Sequence, residues 1–135
     1  MTALALQTDR SATADAATAL LRPGALLHRA RLAAAAIWSL APGRYLAVSD
    51  GDEVVVLRLG RVTRIGRRPS ADIVLDDATV SRRHALVLDR DGTPVIADDR
   101  SRNGVYVNGE RVREARLRHG DEVQIGGRVM RFLEV

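Results

Sequence analysis

The stretch that decides the fold reads GRRPSADIVLDDATVSRRHALVLDRDGTPVIADDRSRNGVYVNG over residues 66–109. Gly66-Arg67, Ser81-Arg82-Arg83-His84, Ser101-Arg102-Asn103-Gly104 and Asn108-Gly109 fall in order along it, with short apolar runs between them. Each cluster has turn chemistry and carries hydrogen-bond donors. Asn-Gly is the preferred pair for a two-residue type I′ hairpin turn, because both residues tolerate positive φ. The intervening runs, Ile73 to Leu75, Ala85 to Leu88, Pro94 to Ala97 and Val105 to Val107, are too short for helices and read as strands. Arginines, a hydroxyl and asparagine amides collected on neighbouring loops suit a bound phosphate, since guanidinium N–H groups fork onto phosphate oxygens.

The same pattern continues on both sides. Tyr45 to Val48 and Glu53 to Leu59 flank the turn Ser49-Asp50-Gly51-Asp52, and Val62 to Ile65 leads into Gly66. Downstream, Glu122 to Ile125 and Val129 to Val135 flank Gly126-Gly127 as a terminal hairpin. About ten short strands with turn signals every eight to twelve residues indicate an all-β, two-sheet sandwich over residues 44–135. No helical pattern separates the strands, which argues against an α/β sheet. Arg111, Arg113, Arg116 and Arg118 read as the solvated face of a late loop.

Residues 1–43 form a different region, an N-terminal extension that is partly helical or disordered. Ser11 to Leu21 has the composition of a short helix ended by Pro23-Gly24. Leu26, Ala30, Ala33, Ile37 and Leu40 recur at steps of three and four, which predicts an amphipathic helix over about 25–40, closed by Pro42-Gly43. Its apolar stripe, with Trp38 as an anchor, suits packing on the body of the protein or self-association with a second copy.

At 135 residues, 46% of them apolar, the chain has the size and composition of one folded domain plus an extension. It has no cysteine, hence no disulfide, thiolate nucleophile or zinc-thiolate site, in keeping with a reducing cytoplasm. No secretory signal or membrane-spanning run is evident, so a cytoplasmic protein without membrane contact is expected. All 21 basic residues are arginine. Residues 1–46 hold five of them against Asp9 and Asp15, net +3, while residues 47–135 hold sixteen against fifteen acids, net +1. The sandwich is therefore nearly balanced, and with aromatics at 3% it has little for base stacking, so nucleic acid is not an expected partner.

The order and spacing of the turn clusters resemble the forkhead-associated (FHA) domain family over roughly Tyr45 to Val135. The matching residues are Gly66-Arg67, Ser81-x-x-His84 within Asp76 to Ala85, and Asp98-x-x-Ser101-x-Asn103-Gly104-x-x-Val107-Asn108-Gly109, with Gly120-Asp121-Glu122-Val123 before the last hairpin. The resemblance implies a sandwich of about eleven strands whose loops at one end bind phosphothreonine in an extended peptide. It implies that Arg67 grips the phosphate, that Ser81 donates its hydroxyl to it, and that Arg82 contacts phosphate or peptide. Asn103 would hold the peptide backbone, and Arg102 would add charge or point to solvent. Gly66, His84, Gly104, Asn108 and Gly109 would shape the loops.

The expected function is thus phosphothreonine-dependent protein–protein interaction downstream of a Ser/Thr protein kinase, with no catalytic residue, metal or cofactor. Ser81 and His84 superficially offer a nucleophile and a base, but no nucleophile elbow or phosphate-binding glycine loop accompanies them. The alternatives are a phospho-independent scaffold or self-association domain and, further off, a nucleic-acid adaptor. Thr8, Thr13 and Thr18 suggest one regulatory expectation: phosphorylated, they would fold back onto the protein's own site.

Overall fold

The computed structural model describes residues 20–21, 40–50 and 53–135, and within them the chain is all-β. Twelve strands run in the order β1 (Leu20–Leu21), β2 (Arg44–Asp50), β3 (Glu53–Arg58), β4 (Val62–Gly66), β5 (Ile73–Leu75), β6 (Ala85–Arg90), β7 (Thr93–Asp98), β8 (Val105–Val107), β9 (Glu110–Val112), β10 (Glu114–Arg116), β11 (Glu122–Ile125) and β12 (Arg128–Glu134). They form two six-stranded sheets, β1-β5-β4-β6-β7-β10 and β3-β2-β12-β11-β8-β9.

Period-two alternation places the core between the sheets. In β4, Thr63 and Ile65 are buried while Val62 and Arg64 are exposed, and in β11 Val123 and Ile125 point inward on either side of exposed Gln124. Leu46, Leu57, Ile73, Leu75, Ile96, Met130 and Phe132 complete the packed interior. Burying each such side chain stabilises the fold by about 1.5–3 kcal/mol, so the alternation fixes register as well as stability: a one-residue slip in β4 would bury Arg64.

Tight turns connect the ladders. Asn108 (φ 51°) and Gly109 (φ 83°) both take the left-handed conformation between Val107 and Glu110, as a type I′ turn demands. Asp91 and Gly92 do the same between β6 and β7. The side chain of Asn108 also accepts from the N–H of Glu122 at 2.9 Å and donates to Asp121 at 3.0 Å, locking this turn onto β11.

Two expectations change. Residues 110–116 are not a loop but the strands β9 and β10, which separate into different sheets: Arg111 lies opposite Tyr106 and Arg116 opposite Val95. The arginines of this region therefore do not share a face, because hydrogen bonding to β8 and β7 overrides a polar sequence. Leu20–Leu21, expected to end a helix, is instead a strand parallel to Val74–Leu75, which provide a free sheet edge. The rest of the Ser11–Leu21 helix, the helix over 25–40 apart from Leu40, and Thr8, Thr13 and Thr18 lie outside the described residues.

The sandwich is closed at one end by Gly43 and Val135, which exchange backbone hydrogen bonds of 3.0 and 2.9 Å. The loops β4–β5, β5–β6 and β7–β8 and the turn β11–β12 gather at the opposite end.

Candidate functional site

Two of those loops, β5–β6 and β7–β8, are held together by one imidazole. His84 is completely buried; its Nδ1 accepts from the backbone N–H of Ser81 at 3.0 Å, and its Nε2 lies 2.8 Å from the carbonyl oxygen of Gly104. These partners make Nε2 the protonated nitrogen. The His84 main chain adds two bonds, from its N–H to Ile65 and from its carbonyl to the N–H of Asp99. Both ring nitrogens are thus engaged by main chain, leaving neither to take a proton from the Ser81 hydroxyl.

Gly66 lets the second loop approach the first. A Cβ there would sit 2.0 Å from the Arg82 carbonyl oxygen, far inside any allowed contact. With no side chain in the way, the N–H groups of Arg67 and Arg68 reach the carbonyls of Ser81 and Arg82 at 2.9 and 3.2 Å. The guanidinium of Arg67 is then fixed by its Nε, which donates to Val80 at 3.0 Å, and its terminal N–H groups have no protein partner among the described residues.

The third loop is shaped by its own side chains. The Asp98 carboxylate accepts from the N–H of Ser101 at 2.7 Å, and the Ser101 hydroxyl accepts from the N–H of Gly104 at 2.9 Å. These are the local side-chain to backbone bonds that specify turns without a sheet ladder. The loop is joined to the second when the N–H of Arg102 donates to the Ser81 hydroxyl at 2.9 Å and the amide of Asn103 donates to the Thr79 carbonyl at 2.8 Å. Ser81 consequently keeps its hydroxyl proton free to donate, and Asn103 keeps its amide oxygen and one N–H free.

The result is a groove of about 330 Å³ lined by Arg67, Ala78, Thr79, Val80, Ser81, Arg82, Arg102 and Asn103. Arg67, Arg82 and Arg102 are exposed there, and no carboxylate lines it. All five residues expected to contact a phosphopeptide are brought together. Of those expected to shape the site, Gly66, His84 and Gly104 lie directly behind the groove, whereas Asn108 and Gly109 do not line it; they sit at the other end of β8, roughly 10 Å of strand away.

Comparison with known proteins then fixes the family. A sequence model of the FHA domain matches residues 63–126. A solved structure from a study of phosphothreonine-dependent FHA domain interactions superposes with a TM-score of 0.61 at 32% identity, over 68% of this chain and 96% of that one. The chain belongs to the FHA domain family.

Two other relatives of this FHA domain bear the names of an inhibitor and of a transcriptional regulatory protein. The oxoglutarate dehydrogenase inhibitor of Corynebacterium diphtheriae is 50% identical over 72 residues, covering 53% of this chain and 50% of that protein. Mycobacterium tuberculosis EmbR, solved in complex with a low affinity phosphopeptide, is 40% identical with a TM-score of 0.61, over 67% of this chain and 24% of EmbR. The chain spans half or less of the length of the curated relatives it matches.

Around this FHA groove, sequence reasoning passed over Thr79. Its hydroxyl donates to the Asp77 carboxylate and accepts from the N–H of Gly127 at 2.6 Å, so it ties the β11–β12 turn to the groove wall while its carbonyl holds Asn103. The Asp77 carboxylate is held below the usual aspartate range, first by the Thr79 hydroxyl, then by the Thr79 N–H, with Arg128 adding to both. The spacing Asp77-x-Thr79 is an Asx-turn signature, and that was the available signal. Among the described residues no three His, Asp or Glu side chains gather as metal ligands would, and no helix is long and apolar enough to cross a membrane.

Proposed function

We propose that this FHA domain is a non-enzymatic interaction module that binds phosphothreonine in an extended peptide, downstream of a Ser/Thr protein kinase in the cytoplasm. The observation that carries the reading is the convergence of Arg67, Ser81, Arg82, Arg102 and Asn103 on one groove free of carboxylates. A phosphothreonine brings a charge of about −1.5 to −2 and three strong acceptor oxygens. The terminal N–H groups of Arg67 pair with two of these, the Ser81 hydroxyl donates to the third, and Arg82 adds charge. The free amide oxygen and N–H of Asn103 pair with the N–H and C=O of the peptide backbone beside the phosphorylated residue. Because His84, Gly66 and the Ser101 turn fix these donors before the ligand arrives, little ordering cost falls on binding. The solved EmbR complex with a phosphopeptide supports the same ligand class.

Titrating phosphorylated and unphosphorylated threonine peptides into wild type and Arg67→Ala tests the proposal. Loss of the phosphate-gripping arginine is expected to cost about 2–5 kcal/mol of binding free energy, with the unphosphorylated peptide failing to bind either protein. Equal affinity for the two peptides would sink the proposal.

A further inference from the structure

Beside the first groove, and sharing Arg82 with it, lies a second of about 600 Å³. Its floor is the outward face of β4 and β6, where Arg64 lies opposite Leu86 and Val62, 45% exposed, stands at the far edge. Its walls carry Arg68, Arg82 and Arg83, so four arginines face one lining carboxylate, Asp99. That carboxylate is already engaged by Arg83 at 3.2 Å. Nearby, Asp72 accepts the backbone N–H of Arg64 at 2.8 Å rather than its guanidinium. Among the described residues Arg64, Arg68 and Arg82 form no ion pair. Three uncompensated guanidinium groups on one concave surface raise its positive potential and attract anions. Val62 and Leu86 on the floor meanwhile suit the methylenes of a long acidic side chain.

We propose that this second groove reads anionic side chains on the same peptide whose phosphothreonine occupies the first groove, an inference that rests on the phosphothreonine reading. Arg64 precedes Arg67 by three residues along β4 and its exit, roughly 10 Å of extended chain. An extended peptide covers that span in about three residues, so the recognised anion lies roughly three to five residues from the phosphothreonine. The two grooves share a single lining residue, Arg82, so the peptide that leaves the first groove past Arg82 enters the second with one flank. Carboxylates and a second phosphate share the required chemistry.

The test uses the full chain and peptides with one central phosphothreonine. One has neutral flanks, one has two glutamates on the amino-terminal flank, one has two on the carboxyl-terminal flank, and two more replace each glutamate pair with a second phosphothreonine. In wild type at low salt, one glutamate flank is expected to tighten binding about five- to tenfold, an effect that shrinks as salt screens exposed charges. On that flank the second phosphate is expected to tighten it further. An Arg64→Gln, Arg68→Gln double variant is expected to lose this gain and to bind the neutral-flank phosphopeptide as wild type does; both side chains are exposed, so folding is retained. Equal binding of all the phosphopeptides, or a gain that survives in the double variant, would overturn the inference alone. A neutral-flank phosphopeptide that fails to bind wild type would overturn the phosphothreonine reading and this inference with it.

Discussion

Replacing Gly66 by alanine tests whether close approach of two loops builds the site. The added methyl would lie 2.0 Å from the Arg82 carbonyl oxygen, 2.8 Å from its carbon and 3.2 Å from the Ser81 oxygen. Relief to an ordinary contact of 3.4 Å requires the loops to part by about 1.4 Å. Such a shift breaks the bond between the Arg68 N–H and the Arg82 carbonyl, already 3.2 Å long, and stretches that between Arg67 and Ser81. Two weakened hydrogen bonds at about 0.5–1.5 kcal/mol each, plus overpacking strain of about 1–3 kcal/mol, give a loss of about 2–6 kcal/mol. Phosphopeptide affinity falls as well, since Arg67 and Ser81 move apart. Gly60→Ala is the matched control, because a methyl there has nothing within 4 Å. Urea unfolding with peptide titration on both variants provides the measurement. The reasoning is refuted if Gly66→Ala matches Gly60→Ala in stability and affinity to within about 0.5 kcal/mol, the usual spread of surface substitutions.

His84→Ala empties a buried site and leaves the Ser81 N–H and the Gly104 carbonyl without their partners; a loss of about 3–5 kcal/mol is expected in urea unfolding, and a loss under about 1 kcal/mol would remove the ring from its holding role. Asp77→Asn is expected to destabilise most at neutral pH, with the gap closing in acid. The folded protein holds the Asp77 carboxyl below its ordinary value, so its contribution is present above the unfolded pKa of about 3.9 and vanishes as pH falls through the folded one. Unfolding at pH 7 and near pH 3 checks this, and a difference that does not shrink in acid contradicts it.

The sandwich was legible wherever a strand carried apolar alternation, as in β4 and β11, or a short apolar run between turn pairs, as in β6 to β8. It was illegible where neighbours alone decide. β9 and β10 are three-residue strands with charged, mostly exposed side chains, and only their registers with β8 and β7 make them strands. Leu20–Leu21 is a strand because Val74–Leu75 offer an edge, a fact of tertiary structure absent from local sequence. The first groove was readable because Gly66, Ser81, His84 and Asn103 stand at turn positions whose spacing is distinctive. The second was not. Arg64 lies on a strand and Arg82 on a loop eighteen residues later, and they share a groove only because Arg64 pairs with Leu86 across β4 and β6.

The exchange of backbone bonds between Gly43 and Val135 has a mechanical consequence. β2 and β12 are antiparallel neighbours, with Arg44 opposite Glu134 and Met130 opposite Val48, so tension applied across Gly43 and Val135 loads their ladder one rung at a time. The sandwich would unzip under a steady pull on those residues rather than resist in shear, with Gly43 and Val135 parting first. The phosphate-binding loops stand at the far end of these strands, roughly 20 Å away. Early rungs could therefore open under load while the groove still holds its peptide.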